Sequence, residues 1–312
     1  FQTISKNPVV TQMCDEPKAW EIQHISLAEK ADVLVIAPAT ANIIGKIAGG
    51  IADDMLTTTV MAARVPVVFV PAMNSAMYEN PIVQENIHKL KSYGYHVMEP
   101  DTGLLACGVE GKGRFPDAEI IVDEIISAAF YKKDLAGKTV LVTAGPTRES
   151  IDPIRYISNR SSGKMGYAVA RAARFRGARV ILVSGPISIN PPHGVQLENV
   201  VTVEEMMQAV LKYFHEADVV IKAAAPADFR VQNISLQKIK KGDNGVTLKL
   251  EENPDILKEL GKMKKNQILV GFAAETDHME QYAMDNIKTK NLDLILANNV
   301  SQEGAGFDMD TN

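Results

Sequence analysis

Thr139-Val-Leu-Val-Thr143 decides how this chain is divided. A short apolar run closed by Gly145-Pro146 has the form of a buried strand ending in a turn. It stands directly behind Lys132-Lys-Asp-Leu-Ala-Gly-Lys138, a polar junction that follows a long apolar helical pattern from Pro116 to about Tyr131. A strand-and-helix series therefore ends before residue 132 and another starts after it. Working backwards, Asp32-Val-Leu-Val-Ile-Ala37 is the first clear strand, stopped by Pro38. Helices follow at 42–48 and 55–63, a strand at 65–70, a loop at 71–81, a helix at 82–93 and a strand at 95–98. The glycine-rich stretch 100–116 reads as an irregular mobile loop. Working forwards, a long loop leads to Ser161-Ser-Gly-Lys-Met-Gly166, which opens an alanine-rich helix to Arg176. Strands at 179–184, 217–223, 267–273 and 293–297 alternate with helices at 254–263 and 279–289. Alternation of this kind predicts an α/β chain of two consecutive open, mostly parallel sheets covered by helices.

Composition narrows the classes. The chain has 312 residues, a formal net charge of −5 and two cysteines. That length suits about two domains. A net negative charge disfavours an electrostatically driven nucleic-acid binder. Cys14 and Cys107 cannot make a disulfide scaffold. No apolar run reaches the roughly 20 residues that span a bilayer. A cytoplasmic protein without membrane or nucleic-acid partners is expected. The opening at Phe1 and the polar finish at Asn312 are read as the ends of a fragment.

Open α/β sheets bind ligands where loops leave the carboxyl ends of their strands. That directs attention to the loops after Ala37, Val70, Thr143, Ala223 and Ala273. The loop after Thr143 lacks the Gly-x-Gly-x-x-Gly of dinucleotide binders, which disfavours an NAD-linked oxidoreductase, and it lacks the P-loop pattern. Ser161–Gly166 could form an anion site beside Lys164, or simply start a helix.

More specific motifs occur in order: Ala37-Pro-Ala-Thr-Ala-Asn42, Pro71-Ala-Met-Asn-Ser-Ala-Met77 and Ala106-Cys-Gly-Val-Glu-Gly-Lys-Gly-Arg114 in the first half. The second half carries Ala144-Gly-Pro-Thr-Arg-Glu149, Asp152-Pro-Ile-Arg-Tyr-Ile-Ser-Asn159, Ser161-Ser-Gly-Lys-Met-Gly166, Lys238-Ile-Lys-Lys241 and Gly271-Phe-Ala-Ala-Glu-Thr276. In these the chain closely resembles the bifunctional coenzyme A biosynthesis family, a phosphopantothenoylcysteine decarboxylase fused to a phosphopantothenate–cysteine ligase. The resemblance implies a flavodoxin-like FMN domain over 1–132 and a Rossmann-like ligase domain over 133–312. It also implies that family members continue past both ends, including a first strand and glycine-rich turn before Phe1, so that FMN is expected to bind this chain weakly. A homo-oligomer is implied too, with flavin-domain trimers and ligase-domain dimers.

In the decarboxylase half the resemblance implies that FMN oxidises the thiol of 4'-phosphopantothenoylcysteine, giving a thioaldehyde that can accept the electrons left by departing carbon dioxide. The cofactor supplies the hard chemistry and the protein orients substrate and manages protons. By resemblance Cys107 is the proton donor, His24 the catalytic histidine and Asn74 the ligand of the substrate carboxylate. Thr40, Asn42 and Met77 are implied at the flavin or substrate. Read without the family, Cys107 is a small hydrophobe, Asn74 a turn residue, Met77 core packing, and Thr40 and Asn42 helix caps.

In the ligase half the resemblance implies CTP with Mg2+. The carboxylate of 4'-phosphopantothenate attacks to give an acyl-cytidylate and pyrophosphate, and the amine of cysteine then displaces CMP. Chemistry of this kind is positioning and charge neutralisation. Lys238 matches the lysine of the activation step, Asn159 the residue of the second step, and Arg155 a phosphate ligand. Lys222, Ala223, Ala224 and Asp228 at one strand end match nucleotide contacts, with Asp228 suited to accept from the cytosine amino group. Pro254, Asp255, Ile256 and Leu257 open a helix whose amides favour phosphate, Phe272 packs on base or sugar, and Lys290 neutralises phosphate charge. Asn286 stands where relatives often have lysine. Residue types alone read Lys238–Lys241 as a solvated surface run, Asn159 as a turn cap and Arg155 as a surface charge. Neither reading assigns protein ligands to the metal. The competing function is a non-catalytic flavoprotein paralogue acting as a regulatory subunit, against which the joint presence of His24, Asn74 and Cys107 speaks.

Overall fold

A computed structural model describes residues 1–11, 22–106, 108–241, 245–275 and 279–299. The chain divides into two compact units, Phe1–Tyr131 and Lys132–Asn312. Cys107, Cys14 and the end of the Gly271–Thr276 motif lie outside the described residues.

The first unit runs α1 (Gln2–Ser5), α2 (Gln23–Lys30), β1 (Leu34–Ala39), α3 (Ala41–Ala48), α4 (Met55–Ala62), β2 (Val67–Pro71), α5 (Ser75–Tyr78), α6 (Pro81–Ser92), β3 (His96–Val97), β4 (Asp101–Leu104), β5 (Glu110–Arg114) and α7 (Ala118–Phe130). Strands β1, β2 and β3 form a parallel sheet in that order. Its pleat sends Ile36, Val67, Phe69 and Val97 towards Ile44, Ile47, Ile87 and Leu90, and Val68 and Val70 towards Ile121. Each such fully buried side chain contributes roughly 1.5–3 kcal/mol relative to exposure. Strand β1 does not stop at Pro38. It continues to Ala39 through a cis Ala37–Pro38 bond, and its register with β2 shifts between Ile36 and Ala39. A proline without an N–H is tolerated where pairing is irregular. The helices start where the sequence supplies caps. Asp54 and Thr57 form a reciprocal capping box on α4, and Lys46 holds the Asp54 carboxylate at 2.9 Å.

The 100–116 stretch is not irregular over its described residues. It is an antiparallel hairpin of β4 and β5. Its glycines serve close approach. Gly113 has φ 140°, and a Cβ there would lie 2.1 Å from the Met73 carbonyl oxygen.

The second unit runs β6 (Thr139–Ala144), β7 (Arg148–Ser150), β8 (Tyr156–Ser158), α8 (Lys164–Phe175), β9 (Arg179–Ser184), β10 (Gln196–Asn199), α9 (Val203–Phe214), β11 (Val219–Lys222), β12 (Phe229–Val231), β13 (Leu250–Glu252), α10 (Ile256–Met263), β14 (Ile268–Glu275), α11 (Met279–Thr289) and β15 (Leu294–Asn299). The described strands include a six-stranded parallel sheet in the order β10-β9-β6-β11-β14-β15. Leu141, Ile181, Val183 and Val220 pack on one face against Met206, Val210, Phe214 and Leu260. Val140, Val142 and Leu182 pack on the other against Tyr167, Ala170 and Ala173 of α8. The chain builds outward from β6 to β10 and then crosses to β11, so the order reverses beside β6. Such a switch point opens a crevice at the strand ends.

Helix α9 and the small β7–β8 and β12–β13 ladders are absent from the sequence reading. The signal for α9 was available: Thr202 and Glu205 form a capping box. Two glycines set close packing. A Cβ at Gly166 would lie 2.5 Å from Ala144 Cβ, seating α8 on β6, and one at Gly261 would lie 2.0 Å from the Lys290 carbonyl oxygen. Gly163, with φ 78°, opens α8 against Ile187, so the Ser161–Gly166 motif is built as a packed helix start. None of the described helices is long and apolar enough to cross a membrane.

Candidate functional site

In the first unit the loops after β1 and β2 and the hairpin converge. Ala72 N donates to Ala39 O at 3.3 Å, and Met73 N donates to Gly113 O at 3.0 Å. Thr40 caps α3 by accepting from Ile43 N at 3.4 Å, and Asn42 stands one residue inside that helix. Asn74 caps α5, its Oδ1 accepting from Ala76 N at 2.9 Å. Met77 is half exposed rather than core. Ser75 Oγ is buried and finds no hydrogen-bond partner among the described residues. The structure thus brings Thr40, Asn42 and Asn74 to the carboxyl edge of the sheet. His24 lies in the first turn of α2, and no described hydrogen bond ties it to those loops.

The hairpin is fastened by a cluster the sequence reading missed. Glu99 accepts from Lys112 Nζ at 2.6 Å, Tyr78 Oη at 3.1 Å and Lys91 Nζ at 3.3 Å. Lys112, foremost, pulls the Glu99 carboxyl down to about 2 against the opposing effect of burial. Burial and the Glu99 charge push the Tyr78 hydroxyl up. Lys112 Nζ also sits 5.4 Å from the Tyr78 ring centre, within cation–π range.

In the second unit the switch-point loops are zipped together by hydrogen bonds. Ala224 N donates to Thr143 Oγ1 at 3.2 Å, Ala225 N to Gly145 O at 3.0 Å and Ala227 N to Thr147 Oγ1 at 2.9 Å. Asn159 Nδ2 donates to Pro226 O at 2.9 Å, and Asn253 Nδ2 to Ala227 O at 2.9 Å. Asp228 is exposed at the end of this loop, its carbonyl accepting from Asn253 N at 2.8 Å.

Beneath the loop lies a charge cluster. Lys222 pairs in register with Thr143 and Gly271 at the end of β11. Burial pushes its ammonium below the usual lysine range, with Asp255 opposing, Lys290 adding to the effect and Asp228 opposing. Lys290 Nζ meets Asp255 at 2.9 Å. Burial disfavours the Asp255 carboxylate, but Lys290 and the Lys258 amide outweigh it and hold the group below its ordinary value. Asp255 caps α10, accepting from Lys258 N at 3.1 Å. A carboxylate therefore already stands at the helix start expected to attract phosphate, and the cationic groups nearby are lysines rather than helix amides. Ile256 and Leu257 are core residues. Phe272 lies in β14 beside Leu296 of β15. Asn286 contributes its carbonyl to the Lys290 amide at 3.0 Å.

Arg155, its side chain 47% exposed, turns Nε and Nη2 onto protein groups. Its Nε donates to Asp152 at 3.0 Å, and Nη2 meets both the same carboxylate and Ile239 O at 2.8 Å. Lys238 is exposed on the segment just beyond. Among the described residues no three His, Cys, Asp or Glu side chains group as a metal site.

Comparison with known proteins matches both units. Residues 1–130 fit the flavoprotein family and residues 135–312 the family described as DNA/pantothenate metabolism flavoprotein C-terminal domain. The coenzyme A biosynthesis bifunctional protein CoaBC of Bacillus subtilis is 52% identical over 315 residues, covering 100% of this chain and 78% of that protein. Its Escherichia coli counterpart is 43% identical over 317 residues, covering 100% and 78%. A cysteine/cysteine sulfinic acid decarboxylase from an unknown prokaryotic organism is 46% identical, covering 99% and 88%. Among solved structures, the C-terminal domain of a CoaBC protein is 48% identical, covers 53% of this chain and 79% of its own, and has a TM-score of 0.48. By sequence likeness along its whole length, the chain belongs to the coenzyme A biosynthesis bifunctional protein family.

Proposed function

We propose that this chain carries out two steps of coenzyme A biosynthesis: CTP-dependent ligation of cysteine to 4'-phosphopantothenate by residues 132–312, and FMN-dependent decarboxylation of the product by residues 1–131. The observation that supports it most is the convergence of Lys222, Asp228, Asp255, Lys290 and Asn159 on the switch-point crevice of the second sheet.

In the ligation, a carboxylate oxygen of phosphopantothenate attacks the α-phosphorus of CTP and pyrophosphate leaves. Lys222 and Lys290 neutralise the triphosphate, and Lys238 neutralises the charge that builds on the leaving group during activation. Mg2+ accompanies the phosphates, in keeping with that ion's habit of binding through substrate oxygens and water. Asp228 accepts from the cytosine amino group. Asn159 is held through Nδ2 by Pro226 O, so its Oδ1 is turned to accept from the amine that attacks the acyl carbon as CMP departs.

The first unit fits a flavin: strand-end loops converge, and buried Ser75 Oγ lacks a protein partner among the described residues. When bound, FMN supplies the two-electron oxidation of the substrate thiol and returns the electron pair to the product. Thr40, Asn42 and Met77 line that site. Asn74, fixed at the start of α5, holds the substrate carboxylate. His24 and Cys107 handle protons. Flavin-unit trimers and ligase-unit dimers complete the assembly, in the cytoplasm.

The test is incubation with phosphopantothenate, CTP, Mg2+ and cysteine, with mass spectrometry of the products. Acyl-cytidylate followed by phosphopantothenoylcysteine and its decarboxylated product is the expected series. Absence of both ligation products overturns the ligase reading. Carbon dioxide from cysteine alone would instead favour the chemistry named for the 46% identical decarboxylase.

A further inference from the structure

Asp152 is 2% exposed, yet it is a carboxylate with no place in the reading above. It accepts from Ile154 N at 2.9 Å, Arg155 N at 2.8 Å, Arg155 Nε at 3.0 Å and Ile239 N at 3.1 Å, and it also pairs with Arg155 Nη2. Arg155 Nη2 donates in turn to Ile239 O at 2.8 Å. Both backbone groups of Ile239 are thereby held, the N–H by the acid and the C=O by the base, across 84 and more positions of sequence. A third tie lies just upstream, where Ser235 N donates to Ile151 O at 3.0 Å. The 151–155 turn is itself closed, Ile151 N donating to Arg155 O at 2.8 Å.

Between the ties at 235 and 239 the chain carries Leu236, Gln237 and Lys238. Leu236 is 92% exposed, so apolar packing does not fix this segment. What fixes it is the clasp. A buried carboxylate that saturates its lone pairs on three backbone N–H groups and a guanidinium is a rigid anchor, because releasing any donor strands a charge away from water. Such an anchor is more than a surface turn needs, and the only exposed ionisable side chain between the ties is Lys238.

We propose that Asp152, through Arg155, is a positioning residue that clasps the backbone of Ile239 and so sets where the Lys238 ammonium stands. The proposal rests on the ligase reading for the role of Lys238, but the clasp itself does not. Arg155 on this view acts on protein rather than on phosphate. Neither residue touches the reacting atoms. A misplaced ammonium weakens charge neutralisation during activation, while nucleotide held by the Lys222, Asp255 and Lys290 cluster is unaffected.

Two arms test it on the full chain. Asp152→Asn keeps the shape but exchanges an acceptor for a donor facing Arg155. Ile239→Pro removes one clasped N–H and leaves Asp152 and Arg155 intact, which guards against a misfolded acid variant. The first arm is limited trypsin digestion with mass mapping of cleavage after Lys240, the next lysine beyond the clasped Ile239 and a bond that both variants keep. Both variants are expected to cut there about tenfold faster than the parent, with cleavage after Lys132 and Lys133 unchanged. The second arm measures pyrophosphate release from CTP and phosphopantothenate without cysteine. Both variants are expected to lose about a hundredfold in kcat, the scale of a small misplacement of a charge-stabilising group, with KM for CTP within about twofold. Unchanged cleavage after Lys240 overturns the clasp. Faster cleavage with unchanged kcat overturns its link to Lys238. A parent protein that releases no pyrophosphate defeats the ligase reading, and the trypsin arm still decides the clasp.

Discussion

The two units hold their candidate sites by opposite means. In the first, the hairpin is fastened by Glu99, Lys112 and Lys91, whose side chains are 58%, 43% and 43% exposed. In the second, the switch-point loops are closed by short polar side chains with little or no exposure, Thr143 and Thr147 among them. Exposed ion pairs are cheap to open and sensitive to salt. Buried hydroxyl-to-amide bonds are costly to break, because the amide is left without water. The contrast suits the chemistry proposed for each. A hairpin bordering the proposed flavin site would have to open for substrate, whereas the proposed nucleotide site gains from loops that are already in place.

The largest effect that would sharpen this comparison is on activity. Lys238→Gln removes a charge from the activation step and is expected to lower pyrophosphate release about 10²–10³-fold, measured in single turnover. Carbon dioxide release from supplied phosphopantothenoylcysteine should be unchanged in that variant. Equal loss of both would merge the two sites and break the comparison.

Next come two stability tests of the buried arrangement. A Cβ at position 185 would lie 1.7 Å from Pro146 O, so Gly185→Ala forces the β6 and β9 loops apart and is expected to cost about 3 kcal/mol in denaturant unfolding. Thr147→Val keeps the volume but strands Ala227 N, at an expected cost of about 2 kcal/mol. An effect near zero would mean that the zipped loops open as readily as the hairpin.

The smallest effect is expected at Glu99. Glu99→Gln should cost under about 1 kcal/mol in global stability, because the pairs are exposed. Its signature lies in pH. The folded Glu99 carboxyl sits at about 2, below its ordinary value of 4.5, so its contribution is complete above 4.5 and fades as pH falls towards 2. Protection of the hairpin from proteases active in acid should fall through that window in the parent and stay flat in Glu99→Gln. High salt should mimic acid at the hairpin and leave the second unit untouched.

Most of what positions the second site was legible in the sequence. Strand β6, the helix opening at Gly163 and Lys222 at the end of β11 stand where alternation and strand-end logic put them, while Asp255 and Lys290, which pair at 2.9 Å, were singled out by the resemblance alone. The hairpin was not, because Gly111 and Gly113 look like flexibility while their function is contact. A Cβ at Gly111 would lie 2.3 Å from Ser75 Oγ, a neighbour nothing local reveals. Asp152 was passed over for a related reason. Before proline it reads as a turn residue, and its decisive partner, Ile239, is 87 positions away. Nor does the sequence around Arg155, whether read by resemblance or by residue type, reveal that its guanidinium faces the Asp152 carboxylate.

The bare backbone at Gly261 carries a consequence of its own. With the Lys290 carbonyl 2.0 Å from where its Cβ would be, helix α10 and the end of α11 meet main chain to main chain. The cap of one helix and the lysine following the other are then surveyed from a single rigid benchmark. Even the smallest side chain at 261 would act as a shim, lengthening the span between Asp255 and Lys290 and detuning the pair, although neither partner had been changed.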